Sequence, residues 1–398
     1  MRRAALNPYF SKASVNKLEI INREKISTLL GRFEIHRATG EVISLSIILR
    51  ALTSDIINQY AFGSSDNNLD RDDYNASFYE SIAAFFEVAP AAMHCSWLGP
   101  VLNSLPVSLM VKLSPALGTL YRMRKLWETQ IDKIRISVDR DDNESTIFHG
   151  VLNSDLPEIE KTTERLRHEA ELIVMAGVDT TASTLSAIIY HLLADPMIAS
   201  KLRAELLTAI PDPTSPPRYP TIEALPYLTA VIQEGLRLHP AGTLRLTRVA
   251  PLEDLVYTDP FDGKKWRIPA GTPISMTAKL VHQKKDIWGE DSNDYRPERW
   301  LGKEGKGLGS INLAYQELYL VLSGIFRVYD VAPMTHSSHH AGSQAIEITP
   351  KGGDDASKPK GKCLALYDTI RQRDVDLVHD MIIPAAVKGS QGVRVMVL

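Results

Sequence analysis

The sequence predicts a mainly α protein with small β-sheets, laid out as a single domain over residues 1–398. Helix-period patterning dominates residues 1–240, and after His239-Pro240 the texture changes to short strand-like runs between turn signals before one last helix. Composition agrees with a globular fold: 44% hydrophobic and 23% charged residues is ordinary for a folded domain, and this length buries a sizeable core.

The clearest helix runs from Glu160 to Ala194. Leu166, Ala170, Ile173 and Gly177 recur at three- and four-residue steps, with Glu164, Arg165, Arg167 and His168 opposite. Pro157 near its start is tolerated there. Past Ala176 the polar face gives way to apolar residues and threonines, so the later half is expected to be buried. A second helix covers Asp195 to Ile210, stopped by the proline-rich PDPTSPPRYP. A third covers Thr221 to Leu238 and closes at His239-Pro240. Strands are expected at Leu244–Ala250, Leu255–Asp259 and Trp266–Met276, with turns at Phe261-Asp262-Gly263 and Pro269-Ala270-Gly271. The last helix spans Ile311 to Val328 with an apolar stripe through Leu313, Leu318, Leu320 and Leu322. The tail reads as loops with strands near Ala345–Thr349, Cys363–Tyr367 and Val393–Leu398. The acidic run Asp139 to Glu144 reads as a solvated loop.

The net charge of -3 gives no reason to expect nucleic acid or an anionic membrane as partner. The only two cysteines, Cys95 and Cys363, have no paired spacing, which argues against a disulfide framework or a structural zinc site. No stretch is expected to reach the apolar length that crosses a bilayer, and MRRAALNPYFSKAS lacks the core of a signal peptide. On residues alone the chain reads as soluble and intracellular. The triplets Asn75-Ala76-Ser77 and Asn143-Glu144-Ser145 then read as chance.

Three constellations could carry chemistry. In Ala176-Gly177-Val178-Asp179-Thr180-Thr181 an acid and two threonines sit in mid-helix, where their side chains compete with backbone hydrogen bonds. They could open a polar notch able to pass protons; the alternative is a helix that ends near Gly177, with Asp179 capping a second one. In Glu234-Gly235-Leu236-Arg237 the acid and base share a helix face, as a buried pair or an ordinary surface one. Arg296-Pro297-Glu298-Arg299-Trp300 is a charged loop after Asp294-Tyr295. The cluster His336, His339 and His340 has metal-compatible spacing but reads as a solvated loop, and Gly305, Gly307 and Gly309 lack the strand and the Gly-Lys-Ser/Thr ending of a phosphate loop.

Taken in order, AGVDTT on a long helix, EGLRLHP closing another, strands, RPERW, then INLAYQELYL opening a helix, the sequence resembles the cytochrome P-450 family over nearly its whole length, from Arg2 to Leu398. INLAYQELYL and LALYDTIRQRDVDLVHD are similar in style to fungal members that oxidise terpenoid-like or other secondary metabolites. The resemblance implies the cytochrome P-450 fold, in incomplete form, and a heme-dependent monooxygenase that inserts one oxygen atom from dioxygen into a small apolar substrate. It implies electrons from NADPH through a reductase and, for the family, the endoplasmic reticulum membrane. It makes Asp179 and Thr180 the acid–alcohol pair that delivers protons and Glu234, Arg237 and Arg299 a buried charge triad. It sets Arg3, in RRAALNPYFS, and Arg248 against the heme propionates, which suits arginine's fixed charge and two-donor geometry.

The sequence departs from the family at the iron ligand. The family carries a cysteine thiolate, which favours O–O cleavage, on a loop F-x-x-G-x-R-x-C-x-G just before the helix that starts INLA. Here Trp300 and Ile311 are separated by LGKEGKGLGS. Counting back, the cysteine position falls on Leu308, the arginine position on Lys306, the last glycine on Ser310 and the phenylalanine position on Leu301. The segment is too short, and no metal ligand is expected from it. Cys95, Cys363, His239 and His282 are not expected to replace it. The family also carries a membrane anchor and further helices ahead of the RRAALNP region, so this chain, without an anchor, is expected to be cytoplasmic or peripheral. An enzyme and a shortened, non-catalytic relative that binds a ligand are both compatible with these residues.

Overall fold

Thirty-two residues, Thr163–Ala194, form one unbroken helix, and much of the chain packs along it. The computed structural model describes residues 5–95, 97–138, 146–212, 217–243, 245–302, 312–332, 361–381 and 383–398. The longer helices are α1 (Glu19–Thr39), α2 (Leu45–Phe62), α3 (Ala76–His94), α4 (Pro115–Val138), α5 (Thr163–Ala194), α6 (Pro196–Ala209), α7 (Pro226–Leu238) and α8 (Asn312–Val328). The side chain of Thr162 caps α5 by accepting from the Arg165 amide. Asp195 both ends α5 and caps α6, accepting from the Met197 amide at 2.9 Å, and Pro196 takes the first position of α6.

Gly177 does not break α5. A Cβ at this position would lie 3.0 Å from Cγ1 of Ile57, so the glycine lets α2 approach closely. Burial follows the sequence pattern: nearly every residue from Val178 to Leu193 is buried. By length and composition α5 could cross a membrane, contrary to the expectation that no stretch would, but 72% of its apolar window is inside the fold. It is the core helix, and its apolarity is spent on α2, α4 and α8.

Two expected elements divide. The helix expected over 221–238 is a short turn of helix, Tyr219–Glu223, followed by α7, which restarts at Pro226. The strand expected over 266–276 is two strands. The strands are β1 (Ile43–Ser44), β2 (Leu246–Val249), β3 (Leu255–Thr258), β4 (Lys265–Ile268), β5 (Pro273–Met276), β6 (Asp330–Val331), β7 (Cys363–Leu366), β8 (His379–Met381), β9 (Ile383–Ala385) and β10 (Arg394–Val397). Gly271, at φ +79°, makes the turn that separates β4 from β5. β2 pairs antiparallel with β5, β3 with β4 and β8 with β9, while β1, β10, β7 and β6 form a four-stranded sheet in that order. The expected strand near Ala345–Thr349, the acidic run, the histidines at 336, 339 and 340, the glycines at 305, 307 and 309, and Arg3 lie outside the described residues.

In α8, Glu317 is 2% exposed and its Oε2 has no hydrogen-bond partner among the described residues. Burial holds its carboxyl well above the usual range. The raised value means the unfolded chain ionises first, so stability falls as pH rises above about 4.5. Glu317→Gln removes that loss. Its unfolding free energy should match the wild type near pH 4 and exceed it increasingly toward neutrality, by up to about 1.4 kcal/mol per pH unit, with the melting temperature rising in step. A parallel pH series for both proteins would contradict the assignment.

Candidate active site

Arg50, Thr53 and Ile57 lie at i, i+3 and i+7 on one face of α2, and that face meets α5. Thr53 donates from Oγ1 to the Val178 carbonyl at 3.0 Å, and Ile57 packs on Gly177. With the two helices locked there, Arg50 reaches Asp179. Its Nε donates to Asp179 Oδ1 at 2.6 Å and its Nη1 to the Ser46 carbonyl at 3.0 Å. Asp179 is 3% exposed, and its Oδ2 has no partner among the described residues.

Neighbouring helix residues point about 100° apart, so Thr180 looks elsewhere. It is half-buried on the wall of a cavity of about 1460 Å³, and its Oγ1 donates to the Ala176 carbonyl at 2.8 Å. Phe85 and Phe86 of α3, Met175 and Ala176 of α5, and Leu246 of β2 share that wall. At the rim Arg124 clasps Glu171 through two bonds of 2.6 and 2.9 Å, tying α4 to α5. A second cavity of about 770 Å³ lies on the other side of α5, with Arg50, Ser183, Ser186 and His239 on its wall.

The structure brings Glu234, Arg237 and Arg299 together. Arg237 donates to both Glu234 oxygens at 2.7 and 2.8 Å, and Arg299 Nε to Oε1 at 3.2 Å. The Arg296 amide (2.9 Å) and Trp300 Nε1 (3.0 Å) complete the carboxylate's shell. The side chains of Glu234 and Arg237 are fully buried, so the pair is not the surface bridge that its spacing also allowed.

Arg248 is exposed on β2, its Nη1 on the Thr247 carbonyl. It lies two residues along β2 from Leu246, which lines the large cavity, but is not itself on the cavity wall. His239 is buried, with Nε2 2.8 Å from Nε2 of His191, itself stacked on Tyr295; burial pushes His239 down to about 3. His282 is half-buried, and its carbonyl accepts from Arg237.

A cavity this large exceeds what one small ligand needs, and Phe85, Phe86, Leu172, Met175 and Leu246 give it an apolar side while Arg124, Glu128, Arg167 and Glu171 give it a charged one, so a planar macrocycle with carboxylate edges has room beside a substrate. Among the described residues, which leave out 303–311, the donor set for its iron does not fit. No cysteine lines the cavity, and among the described residues no group of three metal-ligating side chains exists. Cys363 is locked in β7, and burial pushes its thiol up, away from the thiolate. Cys95 ends α3, beyond the lining residues.

Sequence reasoning missed Arg50 and the Arg124–Glu171 clasp. The signal for Arg50 was present in the spacing of Arg50, Thr53 and Ile57, but spacing alone does not say which helix that face meets.

Residues 1–337 match the family model for cytochrome P450. The whole chain is 39% identical to a cytochrome P450 monooxygenase (tpcC) of Cochliobolus heterostrophus, covering 74% of that protein. It is 30% identical to a fusicoccadiene C-8 hydroxylase of Phomopsis amygdali, over 100% of this chain and 73% of the relative. It is also 30% identical to an N-acetyltryptophan 6-hydroxylase of Emericella nidulans, over 99% and 73%.

Proposed function

Because this chain belongs to the cytochrome P450 family, we propose that the 1460 Å³ cavity is its substrate site and that Asp179 and Thr180 hold and move the proton the reaction consumes. By family it is an oxidoreductase of fungal secondary metabolism, a heme-dependent monooxygenase that inserts one oxygen atom from dioxygen into its substrate. In the family the heme supplies the oxidising chemistry; the residues of this chain would supply the pocket and the proton path. The family works with a redox partner on apolar substrates and is commonly membrane-associated. The finer reading is an NADPH-dependent reductase, a terpenoid-like substrate and the endoplasmic reticulum membrane.

The observation that carries this reading is the hydroxyl of half-buried Thr180 on a wall it shares with Phe85, Phe86, Met175 and Ala176, one residue from the buried carboxyl of Asp179. Phe85, Phe86 and Met175 would hold an apolar body by excluding water from it. The Thr180 hydroxyl, resting on the Ala176 carbonyl, can turn to donate into the cavity. Glu234, Arg237 and Arg299 touch nothing in the cavity wall; they hold the segment from Trp288 to Trp300 against α7. Arg248, two residues from the cavity-lining Leu246 on the same strand, is our candidate to meet a heme propionate.

The pocket assignment is tested without chemistry. A fluorescent apolar probe displaced by terpenoid hydrocarbons should bind the wild-type chain. Ala176→Phe, which fills the wall beside Thr180, should weaken binding at least tenfold. Undiminished binding in that variant would place the site elsewhere.

A further inference from the structure

The larger cavity has two unlike sides. Phe85, Phe86, Met175 and Leu246 make one of them apolar, while α4 and the first half of α5 bring charge to the other. There, among the described residues, Arg122, Arg124, Lys125 and Arg167 face Glu128, Glu164 and Glu171, four cations against three carboxylates. His168 does not alter that balance. Its Nε2 lies 2.6 Å from Arg167 Nη2, and arginine can only donate, so the ring accepts and is neutral.

The pairing shows where the excess lies. Glu171 takes Arg124 through bonds of 2.6 and 2.9 Å and Arg167 at 3.3 Å. Glu128 takes Arg167 at 3.2 Å and Lys125 at 3.1 Å. Three cations thus share two carboxylates in an alternating chain with a cation at each end. Arg122 stands three residues before exposed Lys125, on the same face of α4. Its Nη2 donates to the Thr119 hydroxyl at 2.7 Å, and it has no carboxylate partner among the described residues. Glu164 is too far away to serve. The two helices run antiparallel, with Arg124 opposite Glu171, Glu128 opposite Arg167 and Asp132 opposite Thr163. That register puts Arg122 level with Ile173, toward the apolar side, and Glu164 nine residues back along α5, about 14 Å away at the rise of a helix.

We infer that the substrate is an apolar molecule carrying one carboxylate, and that Arg122 and Lys125 are the specificity-determining residues that hold this group. The inference rests on the reading of the larger cavity as the substrate site. A carboxylate there supplies the anion that the wall lacks, and Arg122 can meet it through two donors. The apolar body then runs along α5 toward Phe86 and Thr180. Thr180 lies seven residues beyond the level of Arg122, so the acid sits about 10 Å along the helix from it. The matching alcohol fills the same apolar side but leaves the cations in excess.

The experiment is displacement of a fluorescent apolar probe from the full chain, at neutral pH, by dodecanoate and by dodecanol. Dodecanoate should bind at least about tenfold more tightly, the scale of one hydrogen bond to a charged group. Arg122→Gln/Lys125→Gln changes two exposed side chains, so the fold should be kept. In it the acid should come down to the affinity of the alcohol, and the alcohol should bind as before. Equal binding of acid and alcohol to the wild type would overturn the proposal. So would a preference that survives in the double variant, or a loss of acid and alcohol together. A failure of the cavity reading looks different: the alcohol then does not displace the probe at all, or displaces it undiminished from Ala176→Phe. The family's heme also carries carboxylates, so the series is repeated on the chain supplied with heme. A preference kept there assigns the two cations to the substrate. A preference lost there gives them to the heme propionates and overturns the proposal.

Discussion

Glu234→Ala is expected to cost the fold about 3–5 kcal/mol, the loss that follows when one partner of a buried ion pair is removed. The carboxylate is the shared acceptor of two guanidiniums, a backbone amide and an indole. Arg237, 0% exposed, would keep its bonds to the His282 and Ser292 carbonyls but lose its counter-charge. Arg299, 6% exposed, would be left with Asp291 and backbone carbonyls. Native stability is only about 5–15 kcal/mol in total, so the variant should melt far lower or fail to accumulate. Glu234→Gln keeps the shape and removes the charge, and should lose most of the same stability. Asp254→Asn, at a pair whose arginine is 77% exposed, is the control, and should change stability by no more than about 0.5 kcal/mol. A silent Glu234→Gln in chemical denaturation would show that shape and not charge holds this region.

The second large effect concerns the iron ligand. Supplied with heme, the chain with LGKEGKGLGS between Trp300 and Ile311 should lack the red-shifted Soret band of thiolate-ligated iron in its reduced, carbon-monoxide-bound spectrum. Cys95→Ser/Cys363→Ser should give the same spectrum, because Cys363 is fixed in the central sheet and neither cysteine lines the cavity. Lengthening the segment to the family's F-x-x-G-x-R-x-C-x-G form should bring the band up. With NADPH and a reductase it should also put one labelled oxygen from dioxygen into an apolar substrate. A thiolate band in the unaltered chain, lost on replacing either cysteine, would mean that the cavity rearranges around a different ligand.

These two experiments mark how far the sequence reached. The triad was legible as a spacing, Glu234 three residues before Arg237, and the order of motifs added Arg299. Spacing could not say that both side chains are fully buried, because burial depends on what covers α7: the segment from Trp288 to Trp300, far along the chain. The ligand gap was legible outright, since a missing cysteine is a fact of composition.

By itself the sequence determined the mainly α character, the long helix ending at Ala194, the turn residues that set off the short strands, the position of Asp179 and Thr180 on one helix, and the absent thiolate. Local chemistry decides each of these: apolar period, caps, glycine and proline, and residue identity. Tertiary structure alone decided that Gly177 is a contact and not a break, that Asp179 faces Arg50 while Thr180 faces a cavity, and that α5 is a core helix. These depend on which helix lies against which, and that choice is made by the burial of whole faces between residues more than a hundred positions apart.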